Sequence, residues 1–173
     1  RTPSENSIYL GGEAQALVKQ IESYGKKSAE YIVDTIYIGG GTPSYIDAED
    51  ISDIVGAIRR TFKVDKNAEI SIEANPGTLD GGKLAIYRSA GINRLSLGLQ
   101  SVHNDELKML SRIHTYEDFE NSFLLARLEG FDNINVDIMY ALPGQTPERL
   151  AETIRTVAAL SPEHISFYGL KIE

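Results

Sequence analysis

Four short segments of the chain carry residues that could bind a small polar molecule. Each follows a short apolar run of β-strand character and precedes a stretch of helical character: residues 39–43, 73–76, 98–101 and 135–137. In parallel α/β folds the active site lies at the carboxyl ends of the strands, so the four segments are predicted to meet at one mouth. There they supply a glycine-rich backbone, the carboxylates of Glu73 and Asp137, and the amide of Gln100. This set suits a ligand that carries an amine and hydroxyl groups.

The first segment reads Gly39-Gly40-Gly41-Thr42-Pro43. Glycines without a Cβ allow backbone N–H groups to approach a ligand closely. The segment is not a phosphate-binding P-loop, because no Gly-Lys-Ser/Thr ending follows it. A tight turn that needs a positive φ is the other explanation, although one glycine would be enough for that.

The two carboxylates have two explanations each. Glu73 and Asp137 fall near the ends of apolar strands, where a carboxylate can accept hydrogen bonds from ligand hydroxyls or an ammonium group. Each could instead form an ion pair, with Arg94 and Arg112 as available partners. Spacing alone leaves both explanations open.

Gln100 and Arg112 are also ambiguous. Gln100 either faces the ligand or caps a helix that starts near residue 103, and Arg112, which lies between two helices, is either a surface residue or part of the site. The three histidines, His103, His114 and His164, lack the spacing of metal ligands and are interpreted as structural.

The hydrophobic pattern predicts strands alternating with helices, some of the strands being apolar on both faces in places. The strands are expected at 34–38, 69–73, 94–98, 133–139 and 164–170, and the helices at 12–28, 47–62, 79–90, 103–111, 115–130 and 147–160. Strict alternation implies right-handed crossovers and a parallel sheet. Five strands do not close a barrel of eight, so we expect a partial (β/α) barrel in which residues 1–173 form one core domain. Because the chain opens on a helix and ends on a strand, further strands are expected outside it.

Composition limits the classes of function. The chain has 173 residues, a hydrophobic content of 42% and a net charge of −8. An acidic chain has no electrostatic footprint for nucleic acid. No apolar run approaches the roughly 20 residues of a membrane span, and we expect a cytoplasmic protein. There is no cysteine, so neither a disulfide nor a thiolate metal site can form within these residues.

Six ordered motifs give the chain a family resemblance: residues 37–44, 73–76, 94–101, 110–114, 133–146 and 164–173. Together they resemble the radical S-adenosylmethionine (radical SAM) superfamily, and within it the oxygen-independent coproporphyrinogen III oxidase-like family. The ending 165–173, Ile-Ser-Phe-Tyr-Gly-Leu-Lys-Ile-Glu, resembles the haem-chaperone-like branch of that family.

The resemblance implies two cofactors, SAM and a [4Fe-4S] cluster. In the family a Cys-x-x-x-Cys-x-x-Cys loop binds three irons, SAM chelates the fourth, and one electron splits SAM into methionine and a 5′-deoxyadenosyl radical. Gly40, Gly41 and Thr42 would line the methionine amino end of SAM. Glu73, Gln100, Arg112 and Asp137 would contact the carboxylate, the ribose or the surroundings of the sulfonium.

The chain departs from the family pattern in three ways. Ala141 and Ser111 stand where glycines are usual, and the cluster cysteines are absent. Because helix 12–28 matches the first helix of the family, the cluster loop would end just before Arg1, and the C-terminal domain of the family is missing too. The 173 residues alone are therefore expected to be inactive.

Two functions follow from the resemblance, the oxidase as the main expectation and a haem chaperone as the alternative. An oxidase would decarboxylate the propionates of a porphyrinogen, with an electron donor as partner. A haem chaperone would bind haem and deliver it to an acceptor protein without oxidase activity. The ending 165–173 favours the chaperone; a folded fragment with no activity of its own is the third interpretation.

Overall fold

The structure is a computed structural model that describes residues 3–25 and 30–171. Its elements run in the order α1 (Pro3–Tyr24), β1 (Ile32–Ile38), a 3-10 turn (Pro43–Tyr45), α2 (Ala48–Thr61), β2 (Lys63–Ala74), α3 (Gly81–Ala90), β3 (Arg94–Gln100), α4 (Asn104–Met109), α5 (Tyr116–Leu128), β4 (Ile134–Tyr140), α6 (Pro147–Ala159) and β5 (His164–Gly169). The strands form one sheet in the order β1-β2-β3-β4-β5, and every neighbouring pair is parallel. The predicted α/β half-barrel with five parallel strands is confirmed.

Three helix ends carry residue types that are typical of helix caps. Asp47 precedes α2 as its N-cap residue, and its side chain makes no capping hydrogen bond. Thr115 and Asp118 form a reciprocal capping box at the start of α5. Gly91, at φ +94°, ends α3 in the left-handed conformation that glycine adopts without steric cost.

Two elements have bounds that differ from the predicted ones by more than two residues. The first helix was expected at 12–28 but spans Pro3–Tyr24, and residues 26–28 lie outside the described part of the chain. The second strand was expected to start at 69 but starts at Lys63. Its first residues are mostly exposed, so they lack the apolar alternation that marks a half-buried strand. They pair with Ile32 and Val33 before the register shifts between Val33 and Thr35.

The sheet has one apolar and one polar face. Ile70, Ile72, Leu95, Leu97 and Val136 are fully buried, in one cluster with side chains of the covering helices. The register aligns residues of the other parity: Glu73 with Ser96, Ser96 with Asn135, and Asp137 with Ser166. The prediction that the strands are apolar on both faces in places therefore misses the polar face. Its side chains continue to the carboxyl ends of the strands.

Candidate functional site

A cavity of about 280 Å³ opens at the carboxyl ends of the strands. Six of the seven predicted site residues line it: Gly41, Thr42, Glu73, Gln100, Arg112 and Asp137. We call this space the site cavity. Gly40 does not line it, but its backbone N–H donates to Glu73 Oε2 at 3.2 Å. The parallel topology therefore brings together residues that are up to 96 positions apart in the chain, from Gly41 to Asp137.

The glycine run after β1 has structural causes at each position. Gly40 and Gly41 have φ values of +89° and +62°, which residues with a Cβ rarely adopt. At Gly39 a Cβ would lie 2.6 Å from Tyr37 Cε1 and 3.0 Å from Glu73 Cδ. The three glycines thus form the turn, leave room for the Glu73 side chain and place the backbone of Gly41 at the wall of the cavity.

Glu73 is held by hydrogen bonds. Tyr37 Oη donates to Glu73 Oε1 at 2.6 Å, while Gly40 N donates to Oε2. Burial is the largest cause that raises the pKa of Tyr37, and the Glu73 hydrogen bond and charge raise it further. The tyrosine therefore stays protonated and serves Glu73 as a donor.

Asp137 lies on the polar face, one strand beyond Ser96. Asn135 Nδ2 donates to Asp137 Oδ1 at 2.8 Å, and Ser96 Oγ donates to Oδ2 at 3.2 Å. Burial raises the pKa of Asp137, the negative charge of Glu73 adds to this, and the two hydrogen bonds oppose it. The two hydrogen bonds compensate the charge of this carboxylate only in part. The carboxylate therefore suits a cationic or hydroxylated ligand.

The ion-pair explanation of the two carboxylates is wrong within the described residues. The salt bridges there include neither Glu73 nor Asp137. Arg94 lies 3.9 Å from Glu69 and donates to Ser71 Oγ at 3.3 Å. Arg112, the other available partner, lines the site cavity instead.

Gln100 ends β3 with a φ of +77°, just after the register shift between β3 and β4. The expected alternative, in which Gln100 caps the next helix, does not occur. His103 is the N-cap residue of α4, and its N–H donates to Ser101 Oγ at 3.0 Å. The backbone turn thus leaves the Gln100 side chain in the cavity wall.

Six further residues line the cavity: Pro43, Ala74, Asn75 and Gly98 lie in the segments singled out from the sequence, whereas Ser96 and Tyr168 were missed as site residues. Ser96 and Tyr168 could have been found by assigning strand faces. Tyr168 pairs with Met139, two residues after Asp137, so period-2 alternation puts it on the Asp137 face. Asn75 donates from Nδ2 to Thr42 Oγ1 at 3.3 Å and so holds a predicted site residue.

The described residues hold no cluster of histidine, aspartate and glutamate that could bind a metal ion. His114 is buried and its Nε2 lies 3.2 Å from the carbonyl oxygen of Leu99, while His103 Nε2 lies 3.2 Å from that of Arg149. Both contacts are structural. No described helix is long and apolar enough to cross a membrane.

Comparison with known proteins extends this description. A sequence model of the radical SAM superfamily matches residues 11–157. The chain is 38% identical over 171 residues to the haem chaperone HemW of Haemophilus influenzae, covering 99% of this chain and 44% of that protein. It is 39% identical over 166 residues to HemW of Bacillus subtilis, covering 95% and 43%.

One solved structure combines a similar fold with a similar sequence. Coproporphyrinogen III oxidase (HemN) from Escherichia coli, described as a radical SAM enzyme, superposes with a TM-score of 0.84 at 33% identity. The match covers 93% of this chain and 38% of that protein. The chain therefore spans about two fifths of the length of the relatives that it matches.

Proposed function

Because this chain belongs to the radical SAM superfamily, we propose that its site cavity binds SAM and that the full-length protein is a haem chaperone. The observation that carries the SAM site is the convergence of six predicted residues on one cavity. The likeness to two haem chaperones over 99% and 95% of the chain supports the second part.

The polar groups in the cavity fit the functional groups of SAM. The carboxylates of Glu73 and Asp137 can accept from the ammonium group and from the ribose hydroxyls. The guanidinium of Arg112 can bind the carboxylate of SAM, and the amide of Gln100 can donate or accept. Gly41, in the left-handed turn, presents backbone without a side chain to the ligand.

The residues do not fit a [4Fe-4S] cluster. Its usual ligands are thiolates, and the 173 residues contain no cysteine. The proposal therefore assigns the cluster to residues outside this sequence. When both cofactors are bound they supply one-electron cleavage of SAM, and this chain contributes binding, orientation and exclusion of water.

The second candidate is an oxygen-independent coproporphyrinogen III oxidase. Its support is the likeness to the Escherichia coli oxidase, with a TM-score of 0.84. The two candidates share the SAM site and differ in what the rest of the protein does. Haem and a haem acceptor protein are the partners of the first candidate, and a porphyrinogen and an electron donor those of the second.

One set of assays separates the candidates. The full-length protein, with its cluster reconstituted without oxygen, is titrated with SAM and then tested for haem transfer and for porphyrinogen decarboxylation. We expect SAM binding, haem binding and haem transfer, without decarboxylation. Decarboxylation without haem transfer would establish the oxidase instead, and absence of SAM binding would refute the assignment of the cavity.

A further inference from the structure

A buried carboxylate lies close to the site cavity without lining it. Glu106 on α4 is only 4% exposed. Its Oε2 accepts from Ser101 Oγ at 2.5 Å and from Gln145 Nε2 at 3.2 Å, and its Oε1 accepts from Arg149 Nε at 2.8 Å. Burial raises the pKa of Glu106, but these three donors outweigh it and hold the pKa below its usual value. Glu106 is therefore ionised and has all its partners within the protein.

The three partners lie in two different segments of the chain. Ser101 follows β3, whereas Gln145 and Arg149 belong to the loop after β4 and the first turn of α6. Two more contacts join the same segments: His103 Nε2 lies 3.2 Å from Arg149 O, and Val102 N donates to Thr153 Oγ1 at 3.5 Å. Glu106 is thus the centre of a link between the carboxyl ends of β3 and β4.

This link connects directly to two residues of the site cavity. Ser101 is covalently bonded to Gln100, whose φ of +77° is uncommon for a residue with a Cβ. Such a conformation persists only when its surroundings hold it. On the other side of Glu106, α4 leads to Arg112, whose N–H donates to Leu107 O at 2.9 Å. Glu106 therefore joins the segment that follows Gln100 to α4, the helix that leads to Arg112.

We propose that Glu106 is a positioning residue, which through Ser101 and α4 sets Gln100 and Arg112 in the geometry that binds SAM. The inference rests on the proposed SAM site. It assigns to Glu106 no contact with the ligand. Its effect on ligand affinity is therefore indirect and must be separated from an effect on folding.

The chain offers a matched control. Glu163 is also a carboxylate shared between an arginine and a backbone N–H: it accepts from Arg127 Nη2 at 3.0 Å and from Ile134 N at 2.8 Å. It lies before β5 and beside the first residue of β4, at the opposite end of the sheet from the site cavity. Glu163→Gln therefore weakens a similar ion pair without touching the loops at the cavity.

The test uses the full-length protein with its cluster reconstituted, and measures the Kd of SAM by calorimetric titration and Tm by thermal melting. Glu106→Gln keeps the volume but replaces an accepting oxygen with an NH2 group that faces donors. We expect it to raise the Kd roughly tenfold, the lower end of the cost of losing a supporting partner at metal sites. Glu163→Gln is expected to lower Tm and leave the Kd unchanged.

Ser101→Ala supplies a second, milder variant that breaks the bond between Glu106 and the β3 segment. If both act through one link, the double variant Ser101→Ala/Glu106→Gln raises the Kd less than the product of the single effects. Ser101→Ala combined with Glu163→Gln is expected to be additive. If Glu106→Gln does not fold, Ser101→Ala alone must still raise the Kd, and an unchanged Kd overturns the inference.

The outcomes distinguish this inference from the proposed function. Wild-type affinity in both Glu106→Gln and Ser101→Ala, together with weak binding in Asp137→Ala, would refute the positioning role and leave the SAM site standing. Failure of the wild-type protein to bind SAM would refute the site itself, and the inference with it.

Discussion

In the proposed SAM site, Asp137 is a residue at which ligand affinity and stability are expected to oppose each other. Burial and the neighbouring charge of Glu73 raise its pKa, although Asn135 and Ser96 donate to it. A carboxyl whose pKa is higher in the folded protein than in the unfolded chain binds its proton more tightly when folded. Ionisation therefore lowers the free energy of unfolding as pH rises from the unfolded pKa, about 3.9, through the raised folded value. A residue retained at such a cost is typical of a functional site.

The first prediction is that Asp137→Asn stabilises the protein at neutral pH, because the amide avoids burying a charge. The gain should shrink as the pH falls from the raised folded pKa of Asp137 towards the unfolded value of about 3.9, because the folded wild-type carboxyl takes up its proton over that range, and it should vanish below it. Urea denaturation of both proteins across this pH range measures the difference. An equal difference in stability at acid and neutral pH would show that the Asp137 charge costs nothing.

The second prediction concerns the affinity of the same residue. In the full-length protein, Asp137→Ala should weaken SAM binding by roughly 1.5–3 kcal/mol, the range for a hydrogen bond to a charged group. Folding should be largely intact, because Asn135 Nδ2 also donates to Ser96 Oγ at 2.8 Å and keeps that partner. Calorimetric titration with a parallel thermal melt measures both effects.

The control for Asp137→Ala is Asp132→Ala. Asp132 is exposed and precedes β4, so it lies at the other end of the strand that carries Asp137. Its substitution should change neither affinity nor Tm. If Asp137→Ala bound SAM normally but melted far below the wild type, Asp137 would be a structural residue.

At the scale of elements, the sequence predicts the helices and strands that local residue patterns specify. It misses strand residues whose conformation depends on pairing with another strand. The helix expected from Asp47 to Phe62 is observed with these two residues as its caps, because the helical spacing of its buried apolar residues is visible within the segment. The early part of β2 is a strand because it pairs with Ile32 and Val33, which sequence alternation does not reveal. The alternation Arg94-Leu95-Ser96-Leu97 in β3 indicates the polar face of the sheet. It identifies that face only when it is known which side of the sheet the helices cover.

The two departures from family glycines lie in turns with a positive φ. Ser111 has a φ of +55° and Ala141 a φ of +59°, in the segments that lead from α4 and from β4. The left-handed conformation costs a residue with a Cβ roughly 1–2 kcal/mol. The positions therefore favour glycine for a backbone reason, and this chain accepts some strain at both.

The third prediction follows from that strain. Ala141→Gly should stabilise the protein by roughly 0.5–1 kcal/mol, because relief of about 1–2 kcal/mol exceeds the entropy cost of about 0.4–1 kcal/mol for adding a glycine. Ala151→Gly, in the interior of α6, should destabilise it by roughly 1 kcal/mol. Chemical denaturation compares the two variants. Destabilisation by both would mean that the surroundings relieve the strain at Ala141.

At the scale of the whole molecule, the site follows from topology. Since all five strands are parallel, residues toward their carboxyl ends meet at one edge, and this rule placed Glu73, Gln100 and Asp137 together. The rule does not give side-chain direction. It therefore could not show that Gly40 faces Glu73 instead of the cavity, or that Arg94 turns to Glu69. Those choices depend on which donors are within reach once the sheet has formed.

The last prediction concerns the 173 residues as one molecule. They hold the proposed contacts to SAM but no thiolate for a cluster, and their described histidines, aspartates and glutamates form no metal site. SAM would then have only protein contacts, without chelation by iron. Incubation of this polypeptide without oxygen with iron, sulfide, dithionite and SAM should give no 5′-deoxyadenosine above a protein-free control, whereas the reconstituted full-length protein serves as the comparison. Turnover that increased with the concentration of the 173-residue chain would contradict the assignment of the cluster ligands to residues outside it.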